Sequence, residues 1–240
     1  SYRKWEEPIR LLGDIYMAQS QKSDLLFLIS SLLESSQSDL DIPREEYELV
    51  WFAATLYLEQ SIYLFENSLI KEKVCQILRE RILEVLQLHN VLASSKRVDL
   101  ALALSHLGDN RLGVGLDPNG IPDINWCLIP SGSFLAGTTE EHISIIQDEN
   151  WATGWKFNRE IPSFEMFVEE FKISKYMITQ KQFKSFIDSS DGYYQDEWWT
   201  PDGIEWRKNS KLPSLMENCT TASMPQVEVR WYEAIAFCNW

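Results

Sequence analysis

The residues of this chain best suited to metal or redox chemistry are Cys75, Cys127, Cys219 and Cys238, with His89, His106 and His142. Thiolates are soft ligands that suit copper(I) or zinc, and imidazole suits zinc and copper. Such sites announce themselves as ligands a few positions apart. No CxxC pair occurs and the histidines lie far from one another, so spacing assigns neither a metal ligand nor a catalytic nucleophile. Cys127 falls in a short β-like run and reads as a small core residue. Cys219 reads as a loop residue, and the formal glycosylation sequon Asn218-Cys219-Thr220 reads as accidental.

The second group is aromatic. Trp198, Trp199 and Trp206, followed by Arg207, gather large flat rings and a guanidinium in one short stretch. Indoles beside an Arg can grip a ligand, and these four are the candidate ligand-binding residues. The competing reading carries more weight: in a segment rich in Asp, Glu, Gly and Pro, such rings hold loops to the core.

Composition narrows the partners. At 45% hydrophobic and 24% charged, the chain reads as an ordinary soluble protein, with no run long enough to span a membrane. Its first residues contain no apolar stretch of the secretory kind, and four scattered cysteines make no disulfide framework, so a cytoplasmic setting is expected. The net charge is −14, with 12 basic and 18 acidic residues in the first 120 positions and 10 and 18 in the remainder. An acidic surface argues against nucleic acid as a partner. The cluster Lys172, Lys175, Lys181 and Lys184 reads as a solvated helix and strand edge.

Two kinds of sequence must position these residues. Ser23-Asp24 could cap a helix through about Glu34, and Pro43 suits the first turn of another. The Gly- and Pro-free stretch from Pro43 to Leu92 is too long for one globular helix, so a break is expected near Asn67-Ser68. Val74, Leu78, Ile82 and Val85 continue a helical stripe, and a helix from Arg97 to Leu107 should end on Gly108. Residues 1–110 are thus expected as an α-helical domain and 111–123 as a turn-rich linker. Beyond it, β-like runs such as Trp126 to Ile129 and Phe164 to Ile173 replace helical periodicity, and eight of the ten tryptophans follow residue 125. Gly132 and Gly137 should allow turns around a short hairpin. Thr179 reads as the N-cap of a helix burying Phe183, Phe186 and Ile187.

Four ordered blocks in the second half resemble the formylglycine-generating enzyme, or sulfatase-modifying factor, family. They are Trp126 to Gly137, with Ala136 where Met is usual; Glu160-Ile161-Pro162 with Phe171 to Phe183; Gly192-Tyr193, Trp198-Trp199, Gly203 and Trp206-Arg207; and Met224 to Trp240. The resemblance implies an α+β fold in which an N-terminal α-helical region precedes a partial C-type-lectin-like domain at 124–240. In the family's enzymes, paired cysteines bind copper(I), and oxygen oxidises a substrate cysteine to formylglycine. The resemblance places those cysteines, and calcium-ligand segments, beyond the helix at Trp231–Trp240, so this chain is expected to carry neither a catalytic residue nor a cofactor. Copper and calcium belong to the complete family domain.

Non-enzymatic relatives of this kind join lectin-like modules to helical regions in bacterial multidomain proteins, including variable ligand-binding proteins of diversity-generating retroelements. Leu107 to Gly115 resembles that arrangement. The favoured reading is a non-catalytic module for a protein or peptide ligand; the alternative is the N-terminal portion of the copper-dependent oxidase. The stripe Trp231, Ile235 and Cys238, widened by Ala234 and Phe237, is expected to pack on a missing C-terminal half or a partner chain.

Overall fold

The computed structural model describes residues 4–19, 22–35, 43–60, 69–147, 159–210 and 222–240. In chain order they form helices α1 (Glu6–Ala18), α2 (Lys22–Ser35), α3 (Pro43–Gln60), α4 (Leu69–Gln87) and α5 (Ser94–Leu107), then strands β1 (Trp126–Ile129) and β2 (Gly132–Ala136). Helix α6 (Glu140–Gln147), strands β3 (Phe164–Val168) and β4 (Phe171–Ser174), helix α7 (Gln180–Asp188), a 3-10 turn (Asp196–Trp198), and helices α8 (Pro201–Asn209) and α9 (Trp231–Asn239) complete the list. No helix among these residues is long and apolar enough to cross a membrane. The chain divides into two compact units, residues 1–123 together with 177–240, and residues 124–176.

In the first unit, α1 to α5 pack around one apolar core, with Leu25, Ile29, Phe52, Leu56, Leu78, Ile82, Leu100 and Leu104 wholly buried. Each such side chain contributes about 1.5–3 kcal/mol of burial free energy. The stripe read from the sequence, Val74, Leu78, Ile82 and Val85, is the buried face of α4. Helix α3 starts at Pro43 as expected, where the missing N–H costs no helical bond. The expected break at Asn67-Ser68 lies outside the described residues. Arg97 donates to the carbonyls of Leu86 at 2.7 Å and Leu88 at 2.8 Å, bringing a cation to the negative end of α4. Gly108, at φ 84°, closes α5, whose start lies three residues before the expected Arg97.

Helix α1 precedes the first helix expected from the sequence. Pro8 occupies the first turn, and at Gly13 a β-carbon would stand 3.6 Å from Leu25 and 3.8 Å from Leu56. Those are ordinary van der Waals distances, so α1 packs on α2 and α3 at normal contact there.

The second unit corrects the hairpin expectation. Strands β1 and β2 do not pair with each other; β1 pairs antiparallel with β4 and β2 with β3. Trp126 faces Ser174, Ile129 faces Phe171, Gly132 faces Val168 and Ala136 faces Phe164, so one register runs through both pairs. The two sheets are one long ribbon, interrupted at Pro130-Ser131, where Pro130 has no N–H to give. The expected single run Phe164 to Ile173 is correspondingly two strands parted by Glu169-Glu170. Gly137, at φ 79°, turns the chain where a β-carbon would stand 2.6 Å from the carbonyl oxygens of Glu160 and Pro162.

Candidate functional site

Helix α7 organises the site. Thr179 caps it as the sequence predicts: Gln182 N–H donates to Thr179 Oγ1, and Thr179 N–H donates to Gln182 Oε1 at 2.9 Å. Both side chains then reach the 113–123 segment. Thr179 Oγ1 donates to the Val114 carbonyl at 2.9 Å, and Gln182 Nε2 donates to those of Asp123 at 2.6 Å and Gly113 at 3.3 Å. Gln182 is wholly buried, so every polar atom it brings in is matched. The segment is also held from within. Asp117 accepts backbone N–H bonds from Ile121 and Asn119, and these donors, Ile121 foremost, hold its carboxyl below the usual carboxylate range.

The opposite face of α7 buries Phe183, Phe186 and Ile187, as expected from the spacing. Phe186 meets Tyr193 edge-on at 5.6 Å, and Tyr193 meets Trp199 at 5.0 Å. Trp199 stacks on Trp206 at 6.3 Å, and Trp206 lies 5.9 Å from Tyr232 of α9. Arg207 lies 4.9 Å over the Trp199 ring, donates to the Tyr193 carbonyl and pairs with Asp196. That carbonyl also accepts Trp199 Nε1 at 2.9 Å. Burial, then the nearby Glu233 carboxylate, pushes the Tyr193 phenol upward.

A cleft of about 870 Å³ opens beside α7. One wall is the outward face of the helix, with Lys181, Lys184, Ser185 and Asp188. A second is the segment from Leu116 to Ile121, and the indoles of Trp198 and Trp240 close the end near Asp191. Asp191 accepts from Ser189 Oγ and from Trp240 Nε1 at 3.4 Å; those bonds, the serine's first, hold its carboxyl below the usual carboxylate range. Trp198 Nε1 donates to the Asp191 carbonyl.

The four candidate ligand-binding residues therefore separate. Trp198 lines the cleft, whereas Trp199, Trp206 and Arg207 form a stacked column, in which Trp199 is 6% exposed. Lys181, Asp191 and Trp240 join Trp198 as site residues beyond the four candidates, and Lys181, Lys184 and Asp188 fall at i, i+3 and i+7 on one helical face. The stripe of α9 that is expected to pack on further sequence or a partner chain lies largely outside this core. The helix buries Glu233, Ala236 and Phe237, while Trp231 is 68% exposed, Cys238 is exposed and Ile235 half-buried. Aromatic packing decides this: Phe237 stacks on Phe183 at 5.5 Å, and Trp240 lies 5.2 Å from Phe186.

A family model, the sulfatase-modifying factor enzyme 1-like domain, matches residues 121–240, half of the chain. No curated protein matches it.

Proposed function

We propose that this chain, which belongs to the sulfatase-modifying factor enzyme family, is a non-catalytic binding module that receives a protein or peptide segment in the cleft beside α7. The observation that carries this reading is the cleft itself: about 870 Å³, walled by two indoles, serine hydroxyls, carboxylates and lysines. That size is in the range of ligand sites, and such mixed walls suit a polypeptide with both apolar and charged side chains.

The family's oxidase chemistry asks for paired thiolates on copper(I). Among the described residues no three His, Cys, Asp or Glu side chains group as ligands, and the free thiols Cys75, Cys127 and Cys238 stand on α4, β1 and α9. The described residues do not fit copper or calcium, and no step through either metal follows from them.

Selection of displayed random peptides on the purified chain tests the reading. Peptides so obtained should lose binding to the Trp198→Ala variant and keep it with Val98→Ser, a change on an exposed site of α5. Equal binding to Trp198→Ala would move the ligand elsewhere. Aldehyde formed from a cysteine-containing peptide in the presence of copper would establish the oxidase instead.

A further inference from the structure

The charges on the cleft wall run the wrong way for the helix that carries them. Lys181 stands in the first turn of α7 and Asp188 is its last residue. A helix favours anions at its start and cations at its end, and an acid placed before a base four positions on is the better order. Here the exposed pair runs Lys184 to Asp188, at 2.7 Å, with the base first. These charges oppose the stability of α7, and all three lie on its cleft-facing side.

Beyond the Lys184–Asp188 pair, two charges remain at opposite ends of the cleft. Lys181 makes no ion pair among the described residues, and Asp191 stands past the end of α7 beside Trp198 and Trp240. An ionised carboxylate has about four acceptor sites. Ser189 and Trp240 supply the donors described for the Asp191 side chain, which leaves capacity for a charged donor. Indoles beside a carboxylate make a good seat for a guanidinium or ammonium group.

We infer that the cleft reads an extended peptide by a dipolar signature, an acidic side chain meeting Lys181 and a basic side chain meeting Asp191 between the indoles of Trp198 and Trp240. This rests on the peptide-binding reading of the same cleft. From Lys181 to Asp188 the helix rises about 10 Å. An extended chain covers that rise in about three residues, at ~3.3 Å each, and Asp191 stands past its end, so the spacing of the two peptide charges is a variable of the test.

The test uses the intact chain and capped peptides Ser-Glu-(Ala)n-Arg-Ser with about one to five alanines, followed by calorimetry at low salt, the tightest binder serving as the parent. Replacing its Glu by Gln, or its Arg by Gln, should weaken binding about tenfold each. Lys181→Glu should weaken the parent peptide similarly and recover affinity for a peptide carrying Lys in place of Glu. Asp191→Asn should erase the difference between the Arg and Gln peptides. Melting temperatures at or above the wild-type value show that the variants fold. Equal binding of charged and neutral peptides, with loss on Trp198→Ala, overturns the dipolar signature and leaves the peptide reading standing. No binding of any of these peptides, or of selected random peptides, overturns both.

Discussion

The phenol of Tyr193 donates to Glu233 Oε1 at 3.0 Å across forty positions of sequence, in a site where both side chains are at most 2% exposed. The other oxygen of Glu233 accepts the Arg230 N–H at 2.8 Å, at the start of α9. A buried carboxylate is tolerated only when hydrogen-bonded, so this pair ties α9 to the Gly192-Tyr193 turn.

Tyr193→Phe should destabilise the chain by about 1–3 kcal/mol at neutral pH, because Glu233 loses a buried partner. It should also change the alkaline limb. The phenol's folded value lies above its ordinary 10.0. The associated stability is therefore complete below pH 10, and above it the unfolded chain loses a proton that the folded chain keeps. Stability then falls by about 1.4 kcal/mol per pH unit for this group. Tyr57, raised by burial and by Cys75, adds a second such contribution. Denaturant titrations across pH 8 to 12, an interval of about four units, should show a shallower decline in Tyr193→Phe; an unchanged slope would mean that the phenol ionises freely in the folded protein.

Gln182→Leu should cost roughly 2–4 kcal/mol, since it strands the Thr179 N–H and the carbonyls of Gly113 and Asp123 in the interior. Urea unfolding measures this. A cost below the error of the method would show that water replaces the amide.

Trp199→Ala and Trp198→Ala should differ. Trp199 is buried with Tyr193, Trp206 and Arg207 packed on it, and its loss should cost about 3–5 kcal/mol. Trp198 lines the cleft and should cost much less. Parallel melting curves decide, and equal losses would place both rings in the core.

How far the sequence announces this arrangement depends on how local the cause is. The Thr179 cap and the Phe183, Phe186 and Ile187 face follow from neighbours three or four positions away, and they are as the spacing predicts. Which face of α9 packs within the chain does not, because the deciding rings, Phe183 and Phe186, sit about fifty positions earlier. Glu233 looks like a surface acid until Tyr193 is placed beside it. The strand runs were legible but their partners were not, since pairing register depends on segments far apart in the chain. In the same way, Trp198 and Trp199 are identical neighbours in sequence, and only the fold sends one to the cleft and the other to the core.

Gly192→Ala should destabilise more than an ordinary surface change, because a β-carbon there would stand 2.1 Å from the Phe186 carbonyl oxygen. The backbone of α7 or the turn must shift, and the Tyr193 N–H bond to the Phe186 carbonyl at 2.9 Å goes with it. A melting temperature at the wild-type value would show that the turn adjusts at no cost.

Thr179 and Gln182 lie inside the family-matching half, yet two of their acceptors, the carbonyls of Val114 and Gly113, lie upstream of residue 121 where that match begins. Grafting the domain onto another protein at its homology boundary would take the Val114 acceptor from the Thr179 hydroxyl and the Gly113 acceptor from the Gln182 amide, which would keep only Asp123. Transfer between proteins should therefore preserve the lead-in from Gly113, even where resemblance has already faded. The hydrogen-bonded unit is longer than the recognisable one, and recombination points chosen from likeness alone would cut through its joint.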